Sequence, residues 1–272
     1  MVTLRDPDRP GDRRWSASAC QNPAEVVDMR WLARDEQALP ADPGWLTPAE
    51  AERAAGLHYP KRRTEYLLRR FTAKHAVAAV ARLPTDPAGL ARIEVGNQAS
   101  GAPYVHVDGA PAGLEVSITD RAGWAVCLVA DVPVGCDLEL VEPRSPAFVR
   151  DYLTAAEQVY VAGHPEPHAA ANLLWSAKES ALKVLRTGLR RDSRDVVVTV
   201  HDGRSPGWAP LRVDVAGGRT LSGWWRRDGR FVLTVASAMP GPPPVSLEDP
   251  GVLATAVPGH SWLSPPRHGP AR

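Results

Sequence analysis

Two segments carry the pattern that decides the fold, Trp175–Lys183 (WSAKESALK) and Gly135–Glu139 (GCDLE). In the first, Trp175, Glu179 and Lys183 recur every four residues, which is the spacing of one stripe along a helix. In the second, two carboxylates lie two residues apart, so on a strand they project from the same face. A helix packed on such a strand brings acidic groups and a lysine to one place.

Carboxylates that meet at one place repel each other unless a cation or a proton neutralises them. If Asp137, Glu139 and Glu179 converge, a hard divalent cation beside a phosphate suits them best. Each motif also has an ordinary alternative. The Asp-x-Glu pair is typical of a solvated strand face, and Glu179 and Lys183 fit a solvated helix face with an i,i+4 ion pair. Lys178 lies off that stripe, so only the ordinary role is expected of it.

The composition limits the classes of function. The chain has 272 residues, 32 Lys and Arg against 31 Asp and Glu, and a net charge of +1. This balance argues against a nucleic-acid partner, which usually requires a basic excess. Without a run of about eighteen apolar residues or an apolar leader, neither a membrane span nor a signal peptide is expected. Three cysteines without a CxxC pair predict buried or incidental thiols in a reducing cytoplasm.

The order of a long helix followed by short strands appears twice along the chain. This predicts an α+β fold of two similar halves, related by duplication about a pseudo-twofold axis, with a ligand cleft at their interface. We assign residues 25–131 to the first half and 132–238 to the second. Residues 1–24 are expected to be a flexible lead-in, and residues 239–272 a Pro-rich disordered tail that makes no β-ladder.

Periodicity and capping signals place the elements. Thr154 with Glu157 predicts a capping box, and Gly188 is the expected left-handed residue after the last helix. The segment 71–75 (FTAKH) aligns with 175–179 (WSAKE), which supports the repeat. The predicted helices are 61–82, 155–163 and 170–186. The predicted strands are 91–95, 104–107, 114–118, 124–130, 196–200, 211–215, 222–225 and 231–236.

Taken together, the GCDLE segment and the W-x-x-K-E-x-x-x-K segment resemble the paired signature of 4′-phosphopantetheinyl transferases. The resemblance is to the two-domain type that activates peptide and polyketide synthases in secondary metabolism, and it covers about residues 45–236. Looser support comes from residues 48–53, from 101–104 (GAPY, where the family has Gly-Lys-Pro-Tyr) and from Ser117 with Trp124 after it.

The resemblance implies a reaction and its machinery. A monomer in the cytoplasm would move the 4′-phosphopantetheine arm of coenzyme A to a serine of an acyl- or peptidyl-carrier protein and release 3′,5′-ADP. Asp137, Glu139 and Glu179 would hold Mg²⁺. Glu179 would also act as the general base, and Lys183 would contact the pyrophosphate and stabilise the leaving group. Trp175 is expected to pack under the site as a structural residue.

Several basic residues are candidates for the coenzyme A phosphates. Arg53 is the first, from its place after Glu52. Arg63 and Lys74 belong to a basic helix of which one or two members would meet the 3′-phosphate, and the ordinary alternative is a solvated face. Arg121 is a candidate for a substitute phosphate contact.

Three positions depart from the family pattern. Asp120 stands where relatives usually have a histidine in Ser-x-Ser-His, Ala102 replaces a lysine, and Asn97 replaces a basic residue. Either other basic residues such as Arg121 supply the phosphate contacts, or the chain is a repurposed or non-catalytic member that binds a carrier protein or another ligand. A third alternative is an unrelated α+β protein whose motifs are coincidental surface charges.

Overall fold

The computed structural model describes residues 27–201 and 207–259; the predicted lead-in 1–24 lies outside them. They form helices and strands in separate runs, which confirms the α+β class. No helix in these ranges combines the length and apolar character that a membrane crossing needs. The helices are α1 (Pro48–Ala55), α2 (Pro60–Ala81), α3 (Pro87–Ala91), α4 (Pro146–Tyr152), α5 (Ala155–Gly163) and α6 (Pro167–Val184). The strands are β1 (Arg30–Asp35), β2 (Ile93–Asn97), β3 (Pro103–Val107), β4 (Ala110–Pro111), β5 (Glu115–Arg121), β6 (Trp124–Ala130), β7 (Val134–Leu140), β8 (Val196–Val200), β9 (Ala209–Val215), β10 (Arg219–Asp228), β11 (Phe231–Ser237) and β12 (Val245–Ser246).

For description, we keep the names first half for the residues up to 131 and second half for residues 132–238. The first half contributes three strands to a four-stranded sheet in the order β12-β1-β6-β5, and β12 comes from residues 245–246. Strand β6 (WAVCLVA) is apolar and buried along its whole length, as expected for a strand inside a sheet. Helix α2 packs on β6, β1 and the separate three-stranded sheet β2-β3-β4. The apolar core between them includes Trp45, Phe71, Val77 and Cys127.

The second half is a five-stranded antiparallel sheet in the order β7-β11-β10-β9-β8. Helix α6 lies across β7 and β11, and every residue of both strands is buried. Strand β7 is an edge strand of this sheet, and β5 is an edge strand of the other. At this seam, side-chain hydroxyls of β5 replace a backbone ladder: Ser117 Oγ accepts from Cys136 N at 2.9 Å, and Thr119 Oγ1 accepts from Leu138 N at 3.3 Å.

A buried ion pair ties the first helix of the first half to its long helix. Thr47 and Glu50 form a capping box at the start of α1. The Glu50 carboxylate also accepts from Val95 N at 2.9 Å and pairs with Lys74 Nζ at 2.5 Å. Because the lysine and the glutamate are almost fully buried, these extra hydrogen bonds offset the cost of removing two charges from water.

The second half repeats this arrangement. Thr154 and Glu157 form the predicted capping box at the start of α5. The Glu157 carboxylate accepts from Val198 N at 2.9 Å and pairs with Lys178 Nζ at 2.9 Å. Lys178 is therefore structural, as expected, but it is buried and does not lie on a solvated face.

The prediction that residues 239–272 make no ladder is wrong for part of that segment. Strand β12 pairs in parallel with β1, through hydrogen bonds from Val245 N to Met29 O and from Leu247 N to Trp31 O, both 2.9 Å. The proline run ends at residue 244, so the next backbone N–H groups are available to pair. Residues 260–272 lie outside the described ranges.

The end of α6 also differs from the prediction. The residue that closes the helix is Arg186 (φ 56°); Gly188, two residues later, is left-handed as predicted (φ 52°) but does not close the helix. Thr187 N donates to Leu182 O at 3.2 Å, the hydrogen bond that closes such a helix end. Arg186 lines the cleft described below.

Candidate active site

A glycine sets the distance between α6 and β7. A Cβ atom added at Gly135 would lie 1.9 Å from Ser180 O, inside any allowed contact. Gly135 therefore leaves room for the backbone of α6. This close approach places the polar residues of α6 directly over those of β7.

Buried hydroxyls hold α6 in register on the sheet. Ser176 Oγ hydrogen-bonds to Asp137 O at 3.1 Å and to Thr234 Oγ1 at 2.9 Å. One turn later, Ser180 Oγ lies 2.8 Å from the same Thr234 hydroxyl. Residues 176 and 180 lie four apart in the sequence, but the threonine partner on β11 is far from both, so only the fold reveals this network.

Asp137 and Lys183, both predicted site residues, are in contact. Lys183 Nζ donates to Asp137 Oδ1 at 2.9 Å and to Cys136 O at 2.7 Å. Thr119 Oγ1 lies 3.2 Å from the same carboxylate oxygen. The sequence alternative paired Lys183 with Glu179 at i,i+4, but Lys183 forms its ion pair with Asp137 on β7.

Asp137 and Glu179 each keep one carboxylate oxygen for a further partner. Asp137 Oδ2 and Glu179 Oε1 are both buried and have no hydrogen-bond partner. Burial raises the pKa of Glu179, and the nearby negative charge of Asp137 raises it further, while Lys183 lowers it. Lys183 pairs with the other oxygen of Asp137, and the two unpartnered acidic oxygens remain as donors of the kind that a hard cation prefers.

Glu139 is in a different environment from the other two carboxylates. Its Oε2 atom is 3.0 Å from Arg144 Nη2 and 3.4 Å from Arg121 Nε. Burial raises the pKa of Glu139 to about 7, with a second contribution from Asp137 and an opposing one from the two arginines. Among residues 27–201 and 207–259, no cluster of three or more His, Cys, Asp or Glu side chains is tight enough to hold a metal ion.

A cleft of about 730 Å³ lies between the two halves, where the sequence predicted one. The first half contributes α1, α2, the β2–β3 region and β5, and the second contributes the last turn of α6 with residues 133–134. The basic side chains that line it are Arg53, Arg69, Arg70, Lys183 and Arg186. Glu50, Glu94 and Glu115 also line the cleft, so basic side chains outnumber acidic ones five to three, and this excess suits a phosphorylated ligand. Lys183 links it to the carboxylates of β7 and α6.

The four other basic residues predicted to bind ligand have different positions. Arg53 lines the cleft. Arg63 is exposed on α2 and is not a lining residue. The Lys74 ammonium is fully buried against Glu50 and Trp45 O, a placement that does not support a ligand contact. Arg121 lies beside Glu139 and at 3.0 Å from Glu142.

Two of the three positions that depart from the family pattern, Asp120 and Asn97, contact arginines of α2. Arg69 Nη1 donates to Asp120 Oδ1 at 2.9 Å, and Arg70 Nη2 donates to Asn97 Oδ1 at 2.6 Å. Arg69, Arg70 and Arg186 were not among the predicted site residues. Arg69 and Arg70 belong to the basic helix identified from the sequence. The side of this helix that faces the cleft could therefore have indicated them as site residues. No local sequence pattern indicated a role for Arg186.

Trp175 packs against aromatic residues of α4. Its ring meets Phe148 at 5.2 Å and Tyr152 at 4.9 Å between centroids, both edge-on. These α4 contacts fix the outer face of α6, in agreement with a structural role. Cys127 and Cys136 are buried free thiols, as predicted; Cys20 lies outside the described residues.

Comparison with known proteins points to one superfamily. Residues 133–236, which contain β7, α6 and the four polar site residues, match the model of the 4′-phosphopantetheinyl transferase superfamily. The chain is also 29% identical over 133 residues to a 4′-phosphopantetheinyl transferase of Bacillus subtilis. That similarity covers 44% of this chain and 57% of the relative, so the chain matches little more than half of the relative's length. The superfamily whose model matches residues 133–236 is the one that the sequence motifs resemble.

Proposed function

We propose, from the membership of residues 133–236 in the 4′-phosphopantetheinyl transferase superfamily, that this chain transfers the arm of coenzyme A to a carrier protein. The acceptor is a serine of an acyl- or peptidyl-carrier protein. The serine oxygen forms a bond to the phosphorus that carries pantetheine, and the bond from that phosphorus to the bridging oxygen breaks. The products are a phosphopantetheinylated serine and 3′,5′-ADP.

The observation that carries this proposal is the contact between the two motifs. Lys183 lines the cleft and is bonded to Asp137, while Asp137 and Glu179, whose charges influence each other, each keep one buried, unpartnered oxygen. A basic cleft for phosphates thus adjoins acidic oxygens able to hold a cation or accept a proton. Coincidental surface charges would not be buried in this way.

We propose Mg²⁺ as the cofactor, because carboxylate oxygens are ligands that it prefers. Asp137 and Glu179 would hold it through their unpartnered oxygens, and Glu139 is the third predicted ligand, although its carboxylate faces two arginines here. When bound, Mg²⁺ would neutralise the phosphate oxygens around the reacting phosphorus.

The chain's own groups then have separate tasks. Lys183 places a positive charge beside the leaving bridging oxygen, where negative charge develops. Glu179 accepts the serine proton, directly or through water. Arg53 and Arg70 contact the nucleotide phosphates from the opposite wall of the cleft.

We also propose that the chain is of the two-domain type, with halves at 25–131 and 132–238 related by duplication. Support comes from the matched Thr–Glu–Lys arrangements of Glu50 with Lys74 and Glu157 with Lys178. Because both walls of the cleft come from one chain, a monomer suffices. Secondary metabolism in the cytoplasm remains the predicted setting.

The carrier protein is proposed to dock beside α5 and α6. On α5, Val159 is 73% exposed and Tyr160 is 38% exposed, and Tyr152 at the end of α4, which contacts Trp175, is also 38% exposed. A partly exposed aromatic surface is typical of protein contacts. It lies on the same half as Glu179.

A second candidate function is a repurposed or non-catalytic member that binds a carrier protein or another ligand. The ion pair between Arg69 and Asp120 favours it, because the aspartate neutralises a cation of the cleft. Calorimetry with coenzyme A and Mg²⁺ separates the two: tight one-to-one binding favours the transferase. Asp120→His should strengthen that binding if a phosphate contact has been lost.

Mass spectrometry of apo carrier proteins tests the transferase directly. The full chain, coenzyme A and Mg²⁺ should add the mass of the phosphopantetheine arm to at least one carrier in a panel and release 3′,5′-ADP. Omission of Mg²⁺, or Glu179→Ala, should abolish the mass shift, whereas His75→Gln should keep it. No shift on any carrier would count against the proposal.

A further inference from the structure

Arg186 occupies a backbone position where a side chain is costly. It has φ 56°, the left-handed conformation that glycine adopts most easily after a helix. It follows Lys183, and its N–H donates to Lys183 O at 3.0 Å. The backbone therefore fixes the position of the Arg186 side chain relative to a predicted catalytic lysine.

The Arg186 side chain crosses the cleft to the other half. Nη2 lies 2.7 Å from both carboxylate oxygens of Glu115, the first residue of β5. Both residues line the cleft, and their side chains are 36% and 33% exposed. An ion pair this open to water is weak and can be displaced by a stronger anion.

Arg82 provides an internal comparison at the end of α2. It has the same φ of 56° in the same closing position, so the backbone conformation alone does not mark a site. Arg82 is exposed and is not a cleft residue. What distinguishes Arg186 is the cleft around its guanidinium and the carboxylate that faces it.

We propose that Arg186 is a phosphate-binding residue for coenzyme A, and that Glu115 is an internal anion that competes with the substrate phosphate for it. The inference rests on the proposed function. A guanidinium N–H group donates to a phosphate oxygen as it does to a carboxylate oxygen, so Nη2, which now contacts Glu115, can exchange one anion for the other. Glu115 thereby holds Arg186 in place while the cleft is empty and lowers the affinity for ligand.

Calorimetry of the full chain with coenzyme A separates this role from a purely structural clasp. Arg186→Gln should weaken binding about 10-fold or more, since one charge-assisted contact is lost. Glu115→Gln should tighten binding by roughly 3- to 10-fold, because the competing anion is removed. Arg82→Gln, the matched control, should bind like the wild type.

The decisive feature is that Arg186→Gln and Glu115→Gln should change the affinity for coenzyme A in opposite directions. If the Arg186–Glu115 ion pair only maintained the shape of the cleft, both Glu115→Gln and Arg186→Gln would weaken binding. That result would overturn the inference. If Arg186→Gln does not fold, Glu115→Gln still decides by its sign. Wild-type transfer activity with equal binding by all variants would overturn this inference alone. Failure of the wild type to bind coenzyme A would overturn it together with the proposed function.

Discussion

The two long helices hold the same ion pair and differ at the next residue. In α2, Lys74 is buried against Glu50, and His75 follows. In α6, Lys178 is buried against Glu157, and Glu179 follows. The glutamate lies beside Asp137, whereas the histidine ring packs on Phe71 with 4.4 Å between centroids. The buried Glu–Lys ion pair that positions the long helix is therefore common to both halves, whereas the acidic site residue after it is present only in the second half.

Removal of a buried lysine should have the largest effect on stability. Lys178→Met and Lys74→Met each leave a buried glutamate without its partner, and we expect each to lower the free energy of unfolding by about 3–5 kcal/mol. Urea denaturation measures this. Arg194→Gln, which breaks the exposed pair with Asp192, should cost under about 1 kcal/mol. Similar losses of unfolding free energy in all three variants would contradict the interpretation that the two buried Glu–Lys pairs position the helices.

Acid should destabilise the first half through His75. Burial lowers the pKa of His75 to about 4, with a smaller contribution from Arg34. The unfolded chain protonates this ring near pH 6.5, so it binds a proton that the folded chain resists. Stability should therefore fall by about 3 kcal/mol as the pH drops from 7 to 4. Unfolding of His75→Gln across this range should show that much less acid sensitivity; an unchanged slope would refute the assignment.

Much of this fold follows from sequence patterns, and the failures have physical causes. Strands β6 and β8 and helix α5 have their predicted bounds, because apolar runs and a capping box are local signals. Strand β12 was missed because its pairing with β1 depends on distant residues. Lys74 was predicted to bind ligand; its burial depends on Glu50, which the sequence did not place next to it. The contact between Asp137 and Lys183 was predictable from motif spacing, whereas the arginines around Glu139 come from tertiary packing.

Gly135→Ala should disturb the site through the backbone. The added methyl would meet Ser180 O, so α6 must shift away from β7, at a cost of about 1–3 kcal/mol. Transfer activity should fall by about 100-fold because Glu179 and Lys183 move with the helix. Gly163→Ala is the matched control, since a Cβ there has nothing within 4 Å. Full activity in Gly135→Ala would show that helix position is not critical.

The smallest effect is expected from removal of a side-chain hydroxyl at residue 176 or at residue 72, which occupy aligned positions in the two long helices. Ser176 bonds across to Asp137 O, whereas Thr72 Oγ1 bonds within its own helix to Leu68 O at 2.8 Å. Ser176→Ala should cost about 1 kcal/mol and also reduce transfer activity. Thr72→Val should leave transfer unchanged. Parallel measurement of denaturation and activity checks both, and equal activity losses would contradict the difference between the halves.

The most direct test is whether Asp137 and Glu179 share one divalent ion. Mn²⁺ titration in the presence of coenzyme A, followed by the paramagnetic resonance of free Mn²⁺, reports the number and affinity of sites. We expect one site per chain in the wild type and in His75→Gln, and affinity at least about 10-fold weaker in Asp137→Asn and Glu179→Gln. Unchanged Mn²⁺ binding in Glu179→Gln would contradict the account.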